Sequence, residues 1–247
     1  MIIGVLGDIH GGISALRRAL NWLLGYDLEA LLCVGDFVPL ASDLDVLQEL
    51  YVLEEVMELL NDVGVPVMYV WGNRDLELFE RVVSLEDLSS RRECLKVIDR
   101  IIKMRNLIEV PRDTRIRLGD TIYVTRNPML LDSRTIYLTH YDNYLRSCLL
   151  HVEGHVHYAQ IAKGYINAGY IHRNLPKGAY ADGMVIAADI AGSNNVRVLV
   201  KPLGAVKPLI CAKHISEGVF FVPSNWRLCP VCYDFAKAKV SRVALHI

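Results

Sequence analysis

Seven side chains able to bind metals or move protons fall in five short segments of the chain. Asp8 and His10 lie in Gly7-Asp8-Ile9-His10-Gly11, Asp36 in Gly35-Asp36-Phe37-Val38, and Asn73 in Gly72-Asn73-Arg74-Asp75. His140 stands alone, and His155 and His157 lie in Gly154-His155-Val156-His157. Two carboxylates, one amide and four imidazoles form a mixed oxygen and nitrogen donor set, suited to borderline divalent cations such as Mn, Fe, Zn or Ni. Seven donors are too many for one such ion and about right for two, with one carboxylate shared. Two cations roughly 3.5–4 Å apart acidify a water and clamp a phosphoryl group during in-line displacement. Each segment alone is weak. A Gly-Asp after a strand is ordinarily a turn, a lone His is ordinarily a hydrogen-bonded core residue, and His-x-His arises by chance. The weight lies in all five segments following strands in one order.

Those strands are legible in the apolar pattern. Met1–Gly7, Glu29–Val34 and Val65–Trp71 read as short buried strands. Between them, Gly12–Gly25 reads as a helix, with Ala15, Leu16, Ala19, Leu20, Leu23 and Leu24 near the 3.6-residue period. Asp43–Asp62 reads as a second amphipathic helix, stopped by Gly64 and Pro66. This alternation predicts a parallel sheet covered by helices. Ligands in such sheets bind beyond the carboxyl ends of the strands, where glycines permit tight turns. Further along, Glu86–Arg105 reads as a helix, and Arg115–Leu118 and Thr121–Thr125 as a hairpin around Gly119-Asp120. Thr135–Thr139, Leu149–Glu153, Ala159–Ile166, Met184–Ala188 and Val196–Val200 read as strands, the last two joined by a Ser193-Asn194-Asn195 turn. An α/β first half and a mostly β second half predict two sheets.

The ordered set Asp-x-His, Gly-Asp, Gly-Asn-x-Asp, His and Gly-His-x-His resembles the calcineurin-like metallophosphoesterase superfamily over roughly residues 1–200. The resemblance implies a four-layer αββα sandwich of two mixed sheets with a dinuclear site at one edge. It implies Asp8, His10 and His157 on one metal, Asn73, His140 and His155 on the other, and Asp36 bridging them. Arg74 stands where most members carry His, a difference shared with a prokaryotic phosphodiesterase branch of the family. Arg is no general acid, but it holds two phosphate oxygens at once; the alternative for Arg74 is an ion pair with a surface acid. Tyr141 replaces the usual Gly after His140, and Asn167-Ala168-Gly169-Tyr170 matches an Asn-Pro-Gly-Ser turn of that branch loosely. Both changes predict a phenol near the site mouth. The Asp-Arg-Gly extension of protein serine/threonine phosphatases is absent after Gly35-Asp36.

A second donor set lies near the C-terminus. Cys211-x-x-His214 and Cys229-Pro-Val-Cys232 have zinc-ribbon spacing, predicting one structural Zn held by Cys211, His214, Cys229 and Cys232. The other cysteines, Cys33, Cys94 and Cys148, are isolated in apolar surroundings and read as small hydrophobes. With Pro202–Pro208 as a linker, the expected domains are residues 1–203 and a ribbon at 204–247. Residues 201–247 hold seven Lys/Arg and two acids, a balance of +5, which leaves −6 on residues 1–200. His151, His172 and His246 receive no ligand role.

With 247 residues, 52% hydrophobic and 22% charged, the chain has the composition of a globular protein and not of a disordered one. Its apolar runs are far shorter than the ~20 residues of a membrane helix. No basic leader precedes the first strand, so a cytoplasmic location is expected. The functional expectation is a dinuclear phosphoesterase, more a diesterase than a monoesterase, in which a metal-bridging hydroxide attacks a small phosphate ester in line. Asp8, His10, Asp36, Asn73, Arg74 and His140 carry that chemistry. A non-catalytic scaffold of the same fold and a nuclease steered by the basic ribbon are the alternatives. The acidic balance of residues 1–200 disfavours nucleic acid, and packing or homo-oligomer formation is favoured as the ribbon's role.

Overall fold

The computed structural model describes residues 1–40, 43–142, 146–155, 157, 159–162, 164–171, 184–191, 196–202, 220–222 and 245–246. Along the chain run β1 (Ile2–Leu6), α1 (Ile13–Leu23), β2 (Leu28–Cys33), α2 (Val46–Asn61), β3 (Val67–Tyr69), α3 (Asn73–Val83), α4 (Leu88–Ile102) and β4 (Leu107–Glu109). There follow β5 (Ile116–Leu118), β6 (Ile122–Thr125), β7 (Thr135–Leu138), β8 (Leu150–Glu153), β9 (Ala159–Ala162) and β10 (Tyr165–Asn167). The described elements end with β11 (Met184–Ile190), β12 (Val196–Pro202), β13 (Phe220–Val222) and β14 (Leu245–His246).

These strands make two seven-stranded mixed sheets, ordered β14-β12-β11-β1-β2-β3-β4 and β13-β9-β10-β8-β7-β6-β5. In the first, β1 to β4 are parallel and β11 joins β1 antiparallel. In the second, β6, β7, β8 and β10 are parallel. The period-2 alternation of β1 and β2 explains why both read as continuous apolar runs. Ile3, Val5, Ala30 and Leu32 pack inward against Val124, Ile136, Leu150 and Val152 of the second sheet, while Leu6, Leu31 and Cys33 face the helices. All four described α-helices bury their apolar stripes on that outer face: Leu16 and Leu20 of α1, Leu53 and Met57 of α2, Leu78 and Val82 of α3, Val97 and Ile101 of α4. Each such Leu, Ile or Val contributes about 1.5–3 kcal/mol on burial. α2 is fixed at its start by a capping box, in which Gln48 N donates to Asp45 Oδ1 and Asp45 N to Gln48 Oε1. On the second sheet, Tyr137, His151, Glu153 and Tyr165 form a buried layer on the face turned away from the core.

The two-sheet sandwich is the expected architecture, with differences in detail. The sequence pattern missed α3 and β4. The single strand expected over Ala159–Ile166 is instead the antiparallel pair β9 and β10, turning at Gly164 with φ 67°. Pro202, expected to open a linker, pairs with Met184 within β12. From the segment expected as the ribbon, β13 pairs with β9 and β14 with β12. The four ribbon ligands and the Ser193–Asn195 turn lie outside the described residues.

Candidate metal centre

All five segments reach one place because they follow the carboxyl ends of parallel strands in the two facing sheets. Loops after β1, β2 and β3 bring Asp8, His10, Asp36 and Asn73, and loops after β7 and β8 bring His140, His155 and His157. The loops are bound to each other by backbone: Ile9 and His10 N–H both donate to the Asp36 carbonyl, at 3.0 and 2.8 Å. Among the described residues, four non-glycine positions have left-handed backbone, and all four belong to this centre: His10 (46°), Asp36 (51°), His155 (69°) and His157 (59°). Such conformations cost of order 1–3 kcal/mol each and persist where surrounding structure over-determines them. Glycine is required where the backbone passes the candidate ligand carboxylates. A Cβ on Gly72 would lie 2.1 Å from Asp36 Oδ1, and one on Gly154 would lie 2.5 Å from Asp8 Oδ1.

The side chains divide into two groups around Asp36. On one side, Asp36 Oδ2 lies 3.5 Å from His10 Nε2, which lies 3.1 Å from His157 Nε2, itself 3.7 Å from Asp8 Oδ2. On the other, Asp36 Oδ1 lies 3.6 Å from His140 Nε2. His140 Nε2 is 2.8 Å from Asn73 Oδ1, and His155 Nδ1 is 3.0 Å from the same oxygen. Asp8, His10 and His157 form one set of converging ligand atoms, and Asp8, Asp36 and His140 another. Tautomers follow from the partners: His10 Nδ1–H donates to Val38 O at 3.1 Å and His140 Nδ1–H to Val34 O at 2.8 Å. The Nε2 lone pairs of both rings are thereby aimed at the centre.

Electrostatics of the centre demand a positive charge. Burial, then the charge of Asp36, raises the Asp8 carboxyl well above the usual carboxylate range. Burial pushes His10 down to about 4, and lowers His140 and His157 as well, so these imidazoles are neutral donors at pH 7. Asp8 Oδ2 is buried with no hydrogen-bond partner. An orphaned carboxylate oxygen, neutral imidazoles and lone pairs converging at hydrogen-bond distance fit divalent cations, which would satisfy all three.

Around the centre, the structure adds residues to which the sequence reading gave no role. Asp75, fourth residue of the Gly72-Asn73-Arg74-Asp75 segment, is fully buried. Its Oδ1 accepts from Phe37 N at 2.8 Å and Val38 N at 3.1 Å, and its Oδ2 from Gly72 N at 2.9 Å, tying the β2 and β3 loops together. Burial and the Asp36 charge raise it to about 7 against the pull of those donors. Asn167 donates from Nδ2 to Gly154 O at 2.7 Å and accepts from Gly169 N at 3.0 Å; Gly169 O in turn accepts from Asp8 N at 2.8 Å. Thus the Asn167–Tyr170 turn braces the Asp8 and His155 loops.

Arg74 reaches the centre through its backbone, N–H donating to Asp36 Oδ1 at 2.9 Å. Its guanidinium is engaged by Glu77 one turn along α3. The two tyrosines part company: Tyr141 is 49% exposed, with its ring 4.7 Å from that of His155. Tyr170, expected at the mouth, is 3% exposed and instead forms an inner wall, stacked on His157 and edge-on to His10. His151 lies away from the centre between Tyr137 and Tyr165. Cys33 and Cys94 are buried and free, and Cys148 is free and partly buried. His172 falls outside the described residues, and His246 lies in β14.

Residues 1–188 match the calcineurin-like phosphoesterase superfamily domain. The chain belongs to that superfamily. Its members hydrolyse phosphoester bonds with divalent metals, and the phosphoesterase domain described here carries candidate ligands for such ions. Its fold is similar to that of TT1561 of Thermus thermophilus, at 14% identity and a TM-score of 0.51, over 82% of this chain and 99% of that one. Two further solved structures match. One is described as a novel archaeal phosphodiesterase, at 16% identity, TM-score 0.43, over 81% of this chain and 100% of that one. The other is Yfce, a phosphoesterase from E. coli, at 16% identity, TM-score 0.45, over 83% and 97%. No curated protein matches the chain. Among the described residues, no helix of the phosphoesterase domain is long and apolar enough to cross a membrane.

Proposed function

We propose that the chain is a dinuclear metal-dependent phosphodiesterase acting on a small phosphate ester. Asp8, His10 and His157 would hold one divalent ion, Asn73, His140 and His155 a second, and Asp36 both. The observation that carries this is the division of Asp36, whose Oδ2 faces His10 and whose Oδ1 faces His140. When bound, the two ions supply an acidified water and a counter-charge for the phosphoryl oxygens.

The protein's own part is orientation. Val38 and Val34 carbonyls hold His10 and His140 in the tautomer that presents Nε2. The Arg74 N–H fixes the Asp36 carboxylate, and Asp75 fixes the loops that carry Asp36 and Asn73. Arg74 would bind the ester's phosphate by leaving Glu77. Its side chain is 21% exposed, and an ion pair so near the surface is worth at most about 1 kcal/mol. Preference for a diester rests on the resemblance to the prokaryotic phosphodiesterase branch, which likewise lacks the usual His at the position of Arg74; Arg74 offers charge but no transferable proton. Manganese is the proposed activating ion. Cys211, His214, Cys229 and Cys232 would hold a structural zinc that keeps residues 204–247 together, packed on the same chain or a second copy.

The test is hydrolysis of bis(p-nitrophenyl) phosphate by protein loaded with Mn²⁺. Metal-dependent turnover is expected. Protein that holds two ions besides the ribbon zinc yet hydrolyses no aryl phosphodiester or monoester would contradict the proposal.

A further inference from the structure

Exposure around the centre is one-sided. Asp8, His10, Asp36 and His140 are buried and His157 and Arg74 are partly exposed, whereas Asn73 and His155 are the exposed members. An ester therefore reaches the phosphorus position over Asn73 and His155. Tyr141 stands on that approach, its ring tilted 45° to that of His155 and half open to solvent. A phosphate bound near Asn73 and His155 would have this ring within reach of one of its ester groups.

We propose that Tyr141 is a stacking platform that selects phosphodiesters whose retained ester group carries an aromatic ring, such as a nucleoside or an aryl group. The inference rests on the phosphodiesterase reading of the site. Every nucleobase and aryl group has a π-face, and stacking on an aromatic side chain strengthens binding by about tenfold or more. A methyl or other small alkyl ester group offers nothing to that ring. Tyr141 directly follows His140, so β7 sets the ring's place together with that of a candidate ligand. Tyr170, by contrast, is sealed against His157 and His10 and has no face to offer.

The experiment compares thymidine 5′-(p-nitrophenyl) phosphate with methyl p-nitrophenyl phosphate, both hydrolysed by Mn²⁺-loaded protein. The two share a leaving group, so the ratio of their kcat/KM values reads the retained group alone. Wild type should favour the thymidine ester by about tenfold or more, Tyr141→Phe should keep that ratio, and Tyr141→Ala should bring it near unity through KM. A ratio unchanged in Tyr141→Ala, or a wild-type ratio near unity, would overturn the inference. An equal fall on both esters would also overturn it, since it would mean Tyr141 merely supports His155. A binding arm separates this claim from catalysis. Mn²⁺-loaded wild type should bind thymidine 5′-monophosphate about tenfold more tightly than methyl phosphate, and Tyr141→Ala should erase the difference. If that difference is present and then erased but neither ester is hydrolysed, the stacking role stands and the phosphodiesterase reading fails.

Discussion

The two sides of Asp36 are built differently. On the inner side, Asp8 and His10 are buried, the partly exposed His157 stacks on the buried Tyr170, and Asp8 Oδ2 is buried with no hydrogen-bond partner. On the outer side, Asn73 and His155 are exposed, and the half-exposed Tyr141 ring lies against that of His155. Burial raises the Asp8 carboxyl and keeps the neighbouring imidazoles neutral, surroundings that a divalent cation would balance. Asn73 and His155 are open to solvent, as a site for substrate entry requires. On the proposed dinuclear reading, the inner group would retain its ion and the outer group would serve turnover, with Asp36 joining them.

The change that should break both sides together is Asp36→Asn. It removes the charge shared by the two groups, so activity should fall by more than about a hundredfold, beyond the range for residues that merely orient ligands. Metal analysis should show loss from the centre while circular dichroism stays native. Asp75→Asn should come next, at about 10–100-fold in activity or metal affinity. The amide would turn a donor toward Gly72 N–H and loosen the β2 and β3 loops without removing a ligand; titration of Mn²⁺ binding would show the weakening. Arg74→Ala should touch the outer side alone. Both ions should stay bound, and KM for a diester should rise roughly tenfold; unchanged kinetic constants would leave Arg74 a surface ion pair with Glu77. The smallest effect is a titration on the inner side. Burial disfavours the charged imidazole, so His10 should stay neutral as the pH falls through its ordinary value of 6.5 and take its proton only near 4. An NMR titration of metal-free protein would read this, and protonation near 6.5 would deny the inner side its burial.

Much of the centre was legible because its residues sit at strand ends, and short apolar strands are the clearest feature of this sequence. Asp8, Asp36 and Asn73 each follow one, and the period-2 packing of β1 and β2 explains the continuous apolar runs. α3 was missed because it starts at Asn73 itself, inside a segment already read as a turn. Its N-cap is Gly72, with no side chain to cap the helix, and its apolar residues are interleaved with charges. β4 was missed as a three-residue edge strand with no fully buried side chain. The split between β9 and β10 hinged on Gly164, whose left-handed turn an apolar count passes over. Asp75 stood in plain view in its segment, but its role depends on Phe37 and Val38, more than thirty residues away. The opposite fates of Tyr141 and Tyr170 were likewise invisible, since burial there is decided by how the second sheet faces the first.

The central claim is that Asp36 joins two metal ions. The most direct measurement is anomalous X-ray diffraction from crystals of the Mn²⁺-loaded protein. Two manganese peaks roughly 3.5–4 Å apart are expected, one near His10 and His157, the other near Asn73, His140 and His155, with the Asp36 carboxylate between them. A single peak at full Mn²⁺ loading, or two peaks that Asp36 does not touch, would contradict it.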